Sequence, residues 1–227
     1  MKQIKAPQRL AGLVTLLVVA AVFAGPNDGN PEASSPYGLQ QVKIKGLDVA
    51  FVLPGATLAG YTKVLVEQPI DVSLHKAWKP DIPGSRFKLS TADQLKIRTG
   101  VGEVVYDSFV KELGKGGYAV VTDSGPDVLR VQAQILNLYV TAPDAHTPAM
   151  SRSYVVSEGE MTLIAVLSDS ETGEILAQVG DRTVARNMGA FRLSGSVFNA
   201  AEAQSAASSW ASILRNALDK AKGIGKK

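Results

Sequence analysis

The chain of 227 residues contains no cysteine. That absence removes disulfides, thiol catalysis and thiolate metal sites together, so stability has to come from burying apolar surface. Histidine is scarce as well. Neither His75 nor His146 has a second histidine at metal-ligand spacing, and the carboxylates near them, Asp81 and Asp144, are ordinary loop residues. No serine lies on a Gly-x-Ser-x-Gly nucleophile elbow. The members of a Ser-His-Asp set need not be neighbours in sequence, so spacing leaves that arrangement open. No acid, base and nucleophile set stands out, however, and a hydrolase is the least favoured function. No repeat occurs at solenoid or propeller periods.

A long hydrophobic run is also missing. The most apolar stretch, Leu10 to Ala24, holds Gly12 and Thr15 and is shorter than the roughly 20 residues a membrane-spanning helix needs. Lys2, Lys5 and Arg9 precede it without an acidic residue, and it ends in Val22-Phe23-Ala24 just before Gly25-Pro26. A basic start, a short apolar core and small residues at the cleavage positions predict a cleaved export signal over 1–24. Length and cleavage-site residues favour that reading over a retained anchor, which would associate the chain with a membrane. Phe23-Ala24-Gly25 approaches a lipoprotein cleavage site, but Pro26 follows and there is no thiol to acylate.

An excess of either charge is the next thing the mature chain lacks. The signal holds three of the 24 basic residues and none of the 21 acidic ones, so the remaining 203 residues carry 21 of each. The overall formal charge of +3 therefore gives no reason to expect a nucleic-acid partner. Lys220, Lys222, Lys226 and Lys227 form a local basic end whose plainest reading is a solvated helix terminus suited to the helix dipole.

What is present reads as one domain. Residues 25–41, rich in Pro, Gly, Ser and Asn, predict a flexible tether. A single domain is expected over 42–223, with a basic tail at 224–227. Short aliphatic runs at 47–53 and 61–66 flank Pro54-Gly55 and predict two strands. A Pro-rich connection over 69–83 follows. Ser90-Thr91-Ala92-Asp93 is a capping signal, and Ile97, Val101, Val104, Val105, Phe109 and Leu113 recur at helical spacing. Gly114, Gly116 and Gly117 close that helix; a phosphate loop would instead open one. Gly100 and Gly102 lie inside it at a cost of about 1 kcal/mol each relative to Ala.

Residues 118–122 predict a strand. Over 128–140, Leu129, Val131, Ala133 and Ile135 alternate with Arg130, Gln132 and Gln134, and then the phase slips to Leu136 and Leu138, which predicts a β-bulge. Two strands over 155–167 and 174–185 form a hairpin. Its apolar register pairs Leu167 with Ile175, Ala165 with Ala177 and Leu163 with Val179. A final helix over 200–222 carries the stripe Trp210, Ile213, Leu214, Ala217 and Leu218. The expected fold class is α+β: a two-layer sandwich with an antiparallel or mixed sheet of five to six strands and two helices on one face.

Several of these segments carry a resemblance. Lys45-Gly46-Leu47-Asp48-Val49-Ala50-Phe51, Pro54-Gly55-Ala56 with Tyr61-Thr62-Lys63-Val64, Gly116-Gly117-Tyr118 and Asp127-Val128-Leu129-Arg130 resemble the bacterial family called domain of unknown function 3313. So do Thr172-Gly173-Glu174 and Trp210-Ala211 with Leu214-Arg215. The resemblance implies an exported protein, often a lipoprotein, without an assigned activity or known catalytic residues. This chain departs from the lipoprotein pattern in lacking the cysteine.

Three residues stand out as an interaction site: Trp78, Arg182 and Arg186. The Trp78 ring, set among prolines, suits stacking on a sugar or a peptide proline, or lidding one end of the core. Arg182 and Arg186 face the same way on the last strand near Glu160. A cross-strand ion pair is the plainer reading there and an anion site the other. The expected function is thus a non-enzymatic, periplasmic cell-envelope protein acting on another envelope protein or a glycan, with no cofactor. The alternative is a small-ligand or glycan-binding module using the Trp78 connection.

Overall fold

The computed structural model describes residues 37–75, 90–139, 160–184 and 196–224. The segment read as a signal, most of the tether, Trp78, His146, Arg186 and the last three residues lie outside the described residues.

Strands β1 (Gln40–Val42), β2 (Val49–Val52), β3 (Lys63–Val66) and β4 (Asp71–Leu74) precede helix α1 (Thr91–Lys115). Then come β5 (Ala119–Val120), β6 (Val128–Tyr139), β7 (Glu160–Asp169), β8 (Ile175–Val184) and helix α2 (Ser196–Ala221). All eight strands join one mixed sheet in the order β1-β2-β8-β7-β6-β3-β5, with β4 also on β6. From β1 to β6 the neighbours are antiparallel, whereas β3 and β4 lie one after the other along β6, both parallel to it.

The two-layer α+β class is the one expected, but the sheet has eight strands and not five to six. The additional strands are short. β1 begins at Gln40, inside the segment read as tether, beside the fully buried Leu39. β4 falls in the Pro-rich connection. Strands of three and four residues are too short to display an alternation, and pairing with β2 and β6 is what makes them strands.

One face of the sheet carries the core. Val64, Leu129, Val131, Ile135, Leu163 and Ala165 meet Val105, Phe109 and Leu113 of α1 and Ala207, Trp210, Leu214 and Leu218 of α2 in one buried cluster. Alanines at 203, 206, 207 and 211 keep the buried side of α2 thin and let it approach closely. α1 ends as its glycines predict: Gly117 takes φ +77°, and the Tyr118 N–H donates to the Leu113 carbonyl at 3.2 Å. Gly102 has a different reason to be glycine, since a Cβ there would lie 3.0 Å from the Ile70 carbonyl oxygen. The predicted bulge occurs where the phase slips: the β6–β7 register shifts between Leu136 and Tyr139, and Asn137 takes φ +54°.

The β7–β8 register differs from the expected one by two residues. Leu167 faces Ala177, Ala165 faces Val179 and Leu163 faces Asp181. The turn accounts for one residue, because Ser168 pairs with Ile175 and the Asp169 N–H donates to the Glu174 carbonyl at 3.0 Å. A bulge between Leu167 and Ser168 accounts for the other. Beyond the bulge the two one-residue shifts restore parity, so Ala177 and Val179 stay on the face of Leu167 and Ala165, whereas Ile175, opposite Ser168, leaves it and Leu176 joins the core instead.

Candidate functional site

Arg182 is the one residue of the expected site that the structure describes. It stands diagonally from Glu160, since Thr162 is its direct partner. The guanidinium makes a bidentate pair with the Glu160 carboxylate, at 2.7 Å from Nε and 2.9 Å from Nη2. Its backbone N–H donates to Asp48 Oδ2 at 2.9 Å. The hydrogen bond from Arg182 is the main cause holding the Glu160 carboxyl below the ordinary range, with a smaller contribution from His75 at the end of β4. Arg182 thus takes the cross-strand pairing expected of it. Trp78 and Arg186, outside the described residues, are not placed beside it.

Other perturbed groups have structural partners too. Asp169 accepts backbone N–H bonds from Glu171 and Thr172 at 3.0 and 2.8 Å, and the Tyr61 hydroxyl at 3.0 Å. The Thr172 bond leads in keeping its carboxyl low. Burial pushes the Tyr61 and Tyr118 phenols up to about 12, helped by hydrogen bonds to Asp169 and Asp219. Glu112, a buried carboxylate of α1, takes a hydrogen bond from Lys115 and lies 3.4 Å from Arg215 of α2, and its pKa is lowered chiefly by Lys115. Lys222 sits 4.3 Å from the centre of the Tyr118 ring, so at least one lysine of the basic end packs on the domain. Among the described residues, no group of three or more His, Asp or Glu side chains is placed to hold a metal.

The concavity of interest lies elsewhere. A groove of about 590 Å³ runs between the β3–β4 link and α1. Pro69, Ile70 and Val72 form one wall. Leu95, Gly102, Glu103, Tyr106 and Asp107 form the other, and Leu95 is 62% exposed. Arg98 bridges the walls, donating to the Val72 carbonyl and pairing with Asp71 at 3.2 Å. Gln134 fixes Asp71 from β6 at 2.8 Å. The groove combines an open strand edge, apolar walls and carboxylates.

Sequence reasoning missed this groove because its walls are far apart in the chain and β4 was not expected. No local signal marks it, because Leu95 lies two heptads before Phe109 and reads as part of the helix stripe.

The fold and groove define an α+β domain with an open strand edge beside a helix. The family model described as "Protein of unknown function (DUF3313)" matches residues 34–214, and the chain belongs to that family. No protein with a curated function matches it. Among solved structures, a PelC dodecamer from Paraburkholderia phytofirmans is 13% identical, covers 72% of this chain and 96% of its own, and gives a TM-score of 0.36. A DUF330 protein from Xanthomonas campestris is 14% identical over 71% and 85% of the two chains, with a TM-score of 0.42. A putative neuraminyllactose-binding hemagglutinin homolog from Helicobacter pylori is 10% identical over 72% and 92%, with a TM-score of 0.37. TM-scores this low carry no argument about function.

Proposed function

We propose that this protein is exported to the cell envelope and works there by binding another envelope component, without catalysing a reaction. The observation that carries the reading is the amino-terminal pattern: Lys2, Lys5 and Arg9, the apolar run from Leu10, and Val22-Phe23-Ala24 before Gly25-Pro26. A signal of that form, followed by a Pro/Gly/Ser-rich segment before the folded domain, is the pattern of an exported protein. Binding is favoured over catalysis because the perturbed carboxylates among the described residues, including Glu112, Glu160 and Asp169, are committed to structural partners. Perturbed groups poised for chemistry would instead face a cleft.

Mass spectrometry of the protein from fractionated cells tests the export step. Gly25 as first residue in the periplasmic fraction is expected; an intact amino terminus in the cytosol overturns the reading. Mild crosslinking in the envelope followed by capture tests the binding step, with one specific partner expected. Retention on a glycan matrix that Trp78→Ala abolishes would replace the protein partner with a sugar.

A further inference from the structure

Among the described residues three strands have a single partner each: β5 pairs only with β3, and the two edges of interest, β1 and β4, pair only with β2 and with β6. The His75 N–H donates to Leu138 of β6 at 3.0 Å, so the alternation along β4 turns the backbone groups of Val72 and Leu74 outward. The Val72 carbonyl accordingly meets Arg98, a side chain standing where a neighbouring strand would. An open edge beside a helix is the geometry in which an extended segment adds as a further strand.

Charge selects the segment. Glu103 and Asp107 stand exposed on successive turns of α1 along the groove, and neither has an ion pair among the described residues. At the other end of the molecule, β1 runs into Val42-Lys43-Ile44-Lys45. Lys43 and Lys45 are exposed and also without ion pairs among the described residues, while Val42 and Ile44 are half-buried. Lys43 and Lys45 lie in the link just past the uncharged β1 strand, so this end of the sheet offers cations beside Val42 and Ile44, and the groove offers carboxylates beside Ile70 and Leu95.

We propose that the groove between β4 and α1 receives the β1 edge of a second copy of this chain, continuing the sheet from one molecule into the next. The two edges differ, so the contact is head-to-tail, and repetition closes a ring or extends a filament. Self-association of this kind does not depend on the compartment proposed above.

Sedimentation velocity of the purified protein across a concentration series tests it. Species larger than the monomer are expected, and added salt should dissociate them as it screens the charges. Glu103→Lys with Asp107→Lys should raise the concentration for half-assembly at least about tenfold, and Lys43→Glu with Lys45→Glu should do the same, because like charges then meet. The four changes together should return assembly to within about threefold of the parent. All four positions are exposed, so circular dichroism should match the parent; for a variant that fails to fold, Glu103→Gln and the salt series provide the same comparison. A monomer at every concentration, assembly indifferent to both charge reversals, or no rescue by the combination would overturn the proposal. A monomer whose groove captures a foreign protein would overturn the choice of a second copy.

Discussion

The indole Nε1 of Trp210 donates to Asp181 Oδ2 at 2.6 Å, tying the middle of α2 to β8 across the core face. The ring itself is 3% exposed, so one side chain provides both apolar burial and a charge-assisted hydrogen bond. Trp210→Ala is expected to destabilise by about 3–5 kcal/mol. Trp210→Phe, which keeps most of the burial but removes the donor, should cost about 1–3 kcal/mol. Urea midpoints measure both: a Trp210→Phe midpoint equal to the parent's would show that the hydrogen bond contributes nothing, and equal midpoints for the two variants that the apolar burial contributes nothing.

Arg182 makes the best-formed ion pair of the sheet, yet its side chain is 57% exposed. Exposed pairs contribute at most about 1 kcal/mol. Arg182→Ala should therefore leave the denaturant midpoint nearly unchanged. A loss of several kcal/mol would mean that the pair is covered in solution.

Gly100 and Gly102 make a paired test. Both lie in α1, where glycine costs about 1 kcal/mol relative to alanine. A Cβ at position 100 meets nothing within 4 Å, whereas one at 102 meets the Ile70 carbonyl oxygen at 3.0 Å. Gly100→Ala should stabilise by up to about 1 kcal/mol. Gly102→Ala should destabilise, because the helix must retreat from β4 to admit the methyl group. Midpoints moving in the same direction would place the close approach elsewhere.

Stability should fall at both ends of the pH scale. The carboxyls of Glu112, Glu160 and Asp169 are held low in the folded protein by hydrogen bonds from Lys115, Arg182 and Thr172. Their contribution is full above the unfolded carboxyl values of about 4 and is lost as pH falls through the depressed folded values. The Tyr61 and Tyr118 phenols shift the other way, from 10.0 to about 12. Their contribution is full below pH 10 and disappears as pH climbs toward 12. Urea midpoints against pH should show both losses, and phenolate absorbance should show these two tyrosines ionising late. Tyrosines that all ionise together would refute the alkaline half.

The sequence by itself determined what depends on local order. Periodicity is a property of neighbouring residues, so Val105, Phe109 and Leu113 announce one helix face and Trp210, Leu214 and Leu218 the other before any fold is known. The phase slip at Leu136 likewise marks the β6 bulge, and parity alone puts Leu163, Ala165 and Leu167 on the core face. The missing cysteine excludes thiol chemistry whatever the shape. Tertiary structure decided everything that requires knowing which distant residue lies opposite. The β7–β8 register is set by a turn and a bulge that each displace it by one residue, a shift invisible to a pattern of period two. β1 and β4 are strands because β2 and β6 supply partners, and the groove exists because Gly102 lets α1 come within reach of Ile70. Hydrogen-bond partners and steric neighbours are non-local, and a one-dimensional pattern does not contain them.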